Sequence, residues 1–171
     1  MDVAAQADQP EWLTEDEQRA WRALVAIVML LPHALDTQLD RDAKLSHFEY
    51  GALALLSEAP NQTLRMSQLA ALTDASLSRL SHVASRLEAR GAITRTTCPQ
   101  DRRANNATLT PIGLALVTKA APGHVRRVRE LIFDQLTGEQ VGQLEVIAEQ
   151  VRRTLDPENT VPSPLKPRPR Q

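Results

Sequence analysis

The stretch ASLSRLSHVASRLEARG, residues 75–91, holds the side chains of this chain best suited to chemistry. Advancing about 100° per residue, a helix over roughly 77–90 sorts them into two arcs. Leu77, Leu80, Val83, Ala84 and Leu87 share one arc of roughly 120°, the width of a stripe that packs against a core. Ser78, Arg79, Ser81, His82, Ser85 and Arg86 share the other. Serine is a mediocre helix former, and an ordinary solvated face would carry Glu, Lys and Gln in i,i+4 pairs. This one holds no acid among its six residues. Small hydroxyls let a helix axis come close to a groove, and arginine can fork onto the O6 and N7 of a guanine. The leading amides of the helix, with Ser76 as cap, offer partial positive charge to a phosphate. The chemistry these residues suit is recognition of double-stranded DNA.

The elements that must position this face are marked by their starts. Thr14-Glu15-Asp16-Glu17 and Ser46-His47-Phe48-Glu49 fit the capping box, and Thr137-Gly138-Glu139-Gln140 fits its glutamine version. Thr110-Pro111 places proline at a first helical position, and Ser67 and Ser76 are further caps. Six helices follow, over about 15–39, 47–58, 67–73, 77–90, 111–135 and 138–154. Pro32 is expected to kink the first, Pro122-Gly123 to bend or break the fifth, and Gly91 to stop the fourth in a left-handed turn. AITRTTC (92–98) and ATLT (107–110) read as strands, with PQDRRANN as the polar turn between them. The fold class is mainly α with a small β-hairpin wing. Leu69, Ala70 and Leu72 of the third helix are expected to pack against Leu80 and Val83, which makes a helix-turn-helix. The hairpin then carries Arg102 and Arg103 at its tip, where a narrow minor groove attracts arginine.

Charge is distributed unevenly. The chain nets −1 over 171 residues, but residues 1–59 hold four Lys/Arg against eleven Asp/Glu, a balance of −7. Residues 60–110 hold seven arginines against three acids, a balance of +4. A basic block inside a near-neutral chain is a local feature suited to nucleic acid. Hydrophobic residues make up 42% and aromatics only 3%, so the core is aliphatic. The single cysteine, Cys98, excludes an intramolecular disulfide and suits a reducing compartment; it is read as a packing residue, with thiol-based redox sensing as the alternative. The acidic start MDVAAQADQPEW is not a signal peptide. The apolar run at 23–35 is short for a bilayer and contains Pro32, so a cytoplasmic protein with no membrane partner is expected. With six glycines and no phosphate-cradling loop, nucleophile elbow or paired-carboxylate motif, the chain does not read as an enzyme. No cofactor is expected, and the four histidines lack ligand-like spacing, so no metal is either.

The string RMSQLAALTDASLSRLSHVASRLEARGAITRTTCPQDRRANNATLTPIGLAL resembles the multiple-antibiotic-resistance regulator (MarR) family of transcription factors. WLTEDEQRAWRAL, HFEYGALALLSEAP and APGHVRRVRELIFDQLTGEQ extend the resemblance over roughly residues 11–154. It implies a regulator, expected to be a repressor, that acts as a homodimer on a pseudo-palindromic operator. Residues 11–154 would form one domain, with dimerisation helices over about 11–45 and 111–154 and a winged lobe over about 46–110. Residues 1–10 would be a flexible N-terminus and 155–171 a disordered, proline-rich tail. The family's DNA-contacting positions fall on Ser76, Ser78, Arg79, Ser81, His82 and Arg86, and on Asp101, Arg102 and Arg103, where the aspartate would orient a neighbouring arginine. Ala104-Asn105-Asn106 departs from the glycine usual after the arginines. A small aromatic or phenolic effector is also implied, for which Trp21, His33, His47 and Tyr50, with Met29, are candidate contacts. The apolar positions 141, 144, 147, 148, 151 and 155 on the last helix lend the homodimer separate support, since a monomer would expose them. The competing class is a winged-helix protein-interaction module without DNA, which would call for an apolar or acidic recognition face.

Overall fold

The computed structural model describes residues 11–98 and 101–157, at 101–103 for the backbone alone. The expectations for the 1–10 segment and for the tail from 158 onward lie outside the described residues. Six helices order the chain: α1 Glu15–Ala43, α2 His47–Glu58, α3 Met66–Leu72, α4 Leu77–Ala89, α5 Pro111–Leu131 and α6 Gly138–Leu155. Three strands, β1 Thr63–Arg65, β2 Ile93–Cys98 and β3 Asp101–Leu109, complete it. Its contacts divide the chain into two compact units, the first ending at Ala34 and the second beginning at Leu35.

Five helices start on the hydroxyl caps expected of them. The Oγ of Ser46 accepts from Glu49 N, and the Glu49 carboxylate accepts from Ser46 N in return. Thr14 with Glu17 and Thr137 with Gln140 close the same reciprocal pair. Ser76 and Thr110 accept from Arg79 N and Gly113 N. Each satisfies an orphan amide of the first turn. Ser67 is not a cap: α3 begins one residue earlier, with Arg65 at the cap position and the Gln68 side chain accepting from Arg65 N. Gly91 takes φ +69°, as a left-handed stop requires.

The break expected as one outcome at Pro122-Gly123 is absent, and Pro32, where a kink was expected, lies within continuous helix. α1 runs unbroken through Pro32 to Ala43, and α5 unbroken through Pro122 to Leu131, followed by a 3-10 turn at Phe133–Gln135. By length and composition α1 is long enough to cross a membrane, which the run at 23–35 alone did not suggest. Its last turns carry Asp36, Asp40, Arg41 and Asp42, and they bury Leu35, Gln38 and Leu39 within the protein.

In the second unit an aliphatic core gathers Leu39, Leu53, Leu56, Leu69, Leu80, Leu87 and Ile93, all essentially without solvent exposure. It joins α2, α3, α4 and the sheet, and it sets α3 behind α4 through Leu69, Ala70, Leu80 and Val83. Leu72 is only half-buried. Gly113 brings the start of α5 onto the sheet: a Cβ there would stand 2.1 Å from the carbonyl oxygen of Ala92 and 2.7 Å from Leu109 Cδ1.

The sheet is three-stranded and antiparallel, in the order β1-β3-β2. β1 had no clear sequence signal; it pairs Thr63 with Thr108 and Arg65 with Asn106. The segment DRRANN is strand rather than turn. Asn105 and Asn106 lie opposite Thr97 and Thr96, and an irregularity between Thr97 and Cys98 sets Cys98 opposite Asp101. The departure from the usual glycine is thereby accommodated, since paired asparagines in a strand need no left-handed backbone.

Candidate nucleic-acid interface

α4 presents the expected two-sided helix. Leu80, Val83, Ala84 and Leu87 are buried, while Ser76, Ser78, Arg79, His82, Ser85 and Arg86 are exposed and Ser81 is half-exposed. One residue departs from the helical wheel. Leu77, placed by its angle in the core arc, is 52% exposed, because it stands on the first turn where no neighbouring element covers it.

The flanks of this ridge are tied to their surroundings. On the side of α2, Arg79 lies over the Phe48 ring, 4.8 Å from its centroid. Arg86 donates from Nε to Glu49 Oε1 at 3.1 Å, although Glu49 is a residue 7% exposed. On the side of the wing, Arg95 donates from Nη2 to Ser85 Oγ at 3.1 Å and pairs with Glu88 at 2.7 Å. The Arg95 side-chain bonds hold the Glu88 carboxyl below the usual range. Ser85 also donates to Ser81 O. Ser78 and His82 therefore form the open centre of the face, Ser85 anchors its wing edge, and the arginines stand along its α2 edge.

A cavity of about 580 Å³ opens along that edge. Asp36, Ser46 and Phe48 make one wall, and α4 from Ser76 to Arg86 makes the other. Asp36, the one acid on this lining, accepts from the backbone N–H of His47. Asp101, Arg102 and Arg103 lie on β3, and their side chains are outside the described part.

Of the expected effector contacts, His47 and Tyr50 meet in the second unit, joined by His124 of α5. The His124 ring is 4.5 Å from Tyr50 and 5.9 Å from His47, centroid to centroid. Trp21, Met29 and His33 belong to the first unit, where each is exposed. The part played by His124 had no sequence signal beyond its residue type. Among the described residues no group of three His, Cys, Asp or Glu is placed to hold a metal. Cys98 is 2% exposed at the end of β2, which suits packing and not an accessible thiol. Arg127 and Arg129 pair with Glu130 and Asp134, as befits a salt-bridged helix surface.

Burial lowers the pKa of both His47 and His124, and each Nδ1 is buried without a hydrogen-bond partner. Below the ordinary value of 6.5 the unfolded chain takes up protons that the folded sites resist, so stability falls as pH drops from 6.5 toward the lowered values. Thermal midpoints measured from pH 7.5 to 5.5 are expected to decline, and the double variant His47→Gln, His124→Gln to decline less steeply. Parallel profiles would contradict this.

A short helix packed behind a polar-faced second helix, followed by an antiparallel wing, defines a winged helix-turn-helix protein. The MarR family model matches residues 45–104. The chain is 43% identical to Sco3205, a MarR family transcriptional regulator from Streptomyces coelicolor whose structure is in complex with DNA; the match covers 92% of this chain and 98% of that one, with a TM-score of 0.83. To AbsC, a MarR family transcriptional regulator from the same organism, it is 39% identical over 84% and 99%, with a TM-score of 0.75. A mutant MarR from E. coli complexed with operator DNA shares the fold at 18% identity, over 82% and 99%, with a TM-score of 0.70. No curated protein matches. At this identity and coverage the chain belongs to the MarR family.

Proposed function

We propose that the protein is a cytoplasmic, sequence-specific DNA-binding transcriptional regulator and not an enzyme. It acts as a homodimer on a pseudo-palindromic operator and represses by occupying promoter DNA. The observation that carries this reading is the outer face of α4: exposed and acid-free, with Ser78 and His82 at its open centre, Ser85 on its wing edge and Arg79 and Arg86 on the other. A helix with that surface can enter a major groove, its capped N-terminus toward phosphate and its arginines toward base edges. The solved complex of Sco3205 with DNA supports the same reading. Asp101, Arg102 and Arg103 are assigned to the adjoining groove on their position in the wing.

The homodimer is supported by α6, which buries none of its residues and leaves Leu144, Val146, Ile147, Val151 and Leu155 exposed. A small aromatic or phenolic effector is supported by the cavity beside α4, whose volume lies in the range of small-molecule sites. Phe48 and Val83 supply its apolar surface and Arg79 and Arg86 its positive charge. The cavity is a second candidate place for an aromatic anion, in addition to the expected contacts Trp21, His33, His47 and Tyr50.

Selection of bound fragments from the source genome, followed by titration at several salt concentrations, tests the proposal. The selected duplex is expected to bind far more tightly than its scrambled form. Arg79→Ala is expected to cost about 1–3 kcal/mol on the selected duplex and to relax preference at one position. Equal affinity for selected and scrambled duplexes would reject the reading.

A further inference from the structure

The first turn of α2 reaches α4 at the two arginines assigned to base reading. Phe48 supplies the ring beneath Arg79, at 4.8 Å, and Glu49 supplies the carboxylate for Arg86 Nε, at 3.1 Å. The two are neighbours in sequence, so one helical turn holds both side chains. Glu49 is itself held: its Oε2 accepts from Ser46 N at 2.9 Å, while its own N–H donates to Ser46 Oγ at 3.1 Å. A carboxylate this buried is retained only with such partners. The capping box of α2 thus has a second use, because the same carboxylate that closes it reaches across to α4.

The geometry leaves the reading atoms of the arginines available. Glu49 engages Nε of Arg86, and the terminal nitrogens, which form the fork suited to a guanine edge, remain on a side chain 59% exposed. Arg79 Cζ lies 4.8 Å over the Phe48 ring, a cation–π contact that restrains the guanidinium without using any of its N–H donors. Arginine is rotamer-rich, and a side chain ordered before binding loses less on docking.

We propose that Phe48 and Glu49 are positioning residues for sequence recognition: without touching DNA, they hold Arg79 and Arg86 in the orientation that reads bases. The inference rests on the DNA-reading role proposed above. It makes a prediction opposite to that of simple electrostatics. Glu49 is a negative charge beside a face meant for phosphates, so its neutralisation alone would tighten binding to every duplex. Positioning requires that the selected duplex be lost relative to the scrambled one.

The experiment measures affinity of the full chain for the genome-selected duplex and its scrambled form, with thermal midpoints recorded in parallel. Glu49→Gln keeps an acceptor for Ser46 N and removes the charge; it is expected to cut the selected-to-scrambled ratio about tenfold, the scale of one hydrogen bond to a charged group. Phe48→Leu keeps apolar volume and removes the stacking face; it is expected to cut the ratio about two- to fivefold and decides the matter alone if the Glu49 variant does not fold. In an Arg86→Lys background, Glu49→Gln is expected to have little further effect, since the two act through one contact. An unchanged ratio in folded variants, or equal tightening on both duplexes, would overturn the positioning role while leaving the DNA-reading proposal intact. A wild-type chain without preference would overturn both.

Discussion

Replacing Ile147 with glutamate is expected to split the proposed homodimer and to weaken binding to its selected duplex by a factor on the order of 10²–10⁴, the gain that linking two half-site contacts supplies. Ile147 is 60% exposed on α6, between Leu144 and Val151 on the same stripe. Within one chain it contributes little to folding, so the substitution should leave the helix content nearly unchanged. A two-fold interface uses the same patch of both subunits, so the substitution would bury a carboxylate against apolar surface twice. Light scattering at micromolar concentration should give twice the chain mass for the wild type and the single mass for the variant. A wild-type monomer, or a variant that stays dimeric with full affinity, would contradict the assignment of α6.

The second large effect separates two leucines that a helical wheel treats alike. Leu80→Ala removes a side chain 1% exposed at the centre of the core that seats α4 on α3. Such truncations cost about 2–5 kcal/mol, and at about 2–4 °C per kcal/mol for a chain of this size the thermal midpoint should fall roughly 4–20 °C. Leu77→Ala, three residues away at 52% exposure, should shift stability by no more than about 0.5 kcal/mol. Comparable losses from both would mean that α4 is seated differently from the arrangement described.

The contrast between these leucines shows which parts of the fold were legible in the sequence. Cap-to-third-residue bonds at Thr14, Ser46, Ser76, Thr110 and Thr137 lie within one turn, so sequence adjacency alone suffices to read them. The buried set Leu80, Val83, Ala84 and Leu87 follows from angle alone, because the middle of a helix is covered on one side whatever covers it. Leu77 was misread because coverage of a first turn depends on what stands beyond the helix end. The three residues of β1 carry no periodicity of their own and become a strand through β3, 45 residues away in the Thr63–Thr108 contact. DRRANN was read as a turn from its residue types, and pairing of Asn105 and Asn106 with β2 overrode that preference.

The candidate site divides in the same way. Its outward residues were legible as a face. Their partners were not, since Glu49 stands 37 residues from Arg86 and no local pattern connects them. Arg86 reads from sequence as free to contact DNA; in the fold it is a side chain shared between Glu49 and the surface. Pro122, read as bending or breaking its helix, and Pro32, read as kinking its own, sit inside α5 and α1 without ending either.

A reading helix must bring the outer face of α4 against bases when duplex DNA is bound. A diazirine-bearing side chain placed at position 78 or at position 82 tests this most directly, with the same group at position 119, the exposed Lys119 of α5, as reference. Irradiated with the genome-selected duplex, the proteins labelled at 78 and 82 should cross-link to bases and the reference should not. Cross-linking confined to position 119, or absent from 78 and 82 while the duplex is bound, would contradict the account.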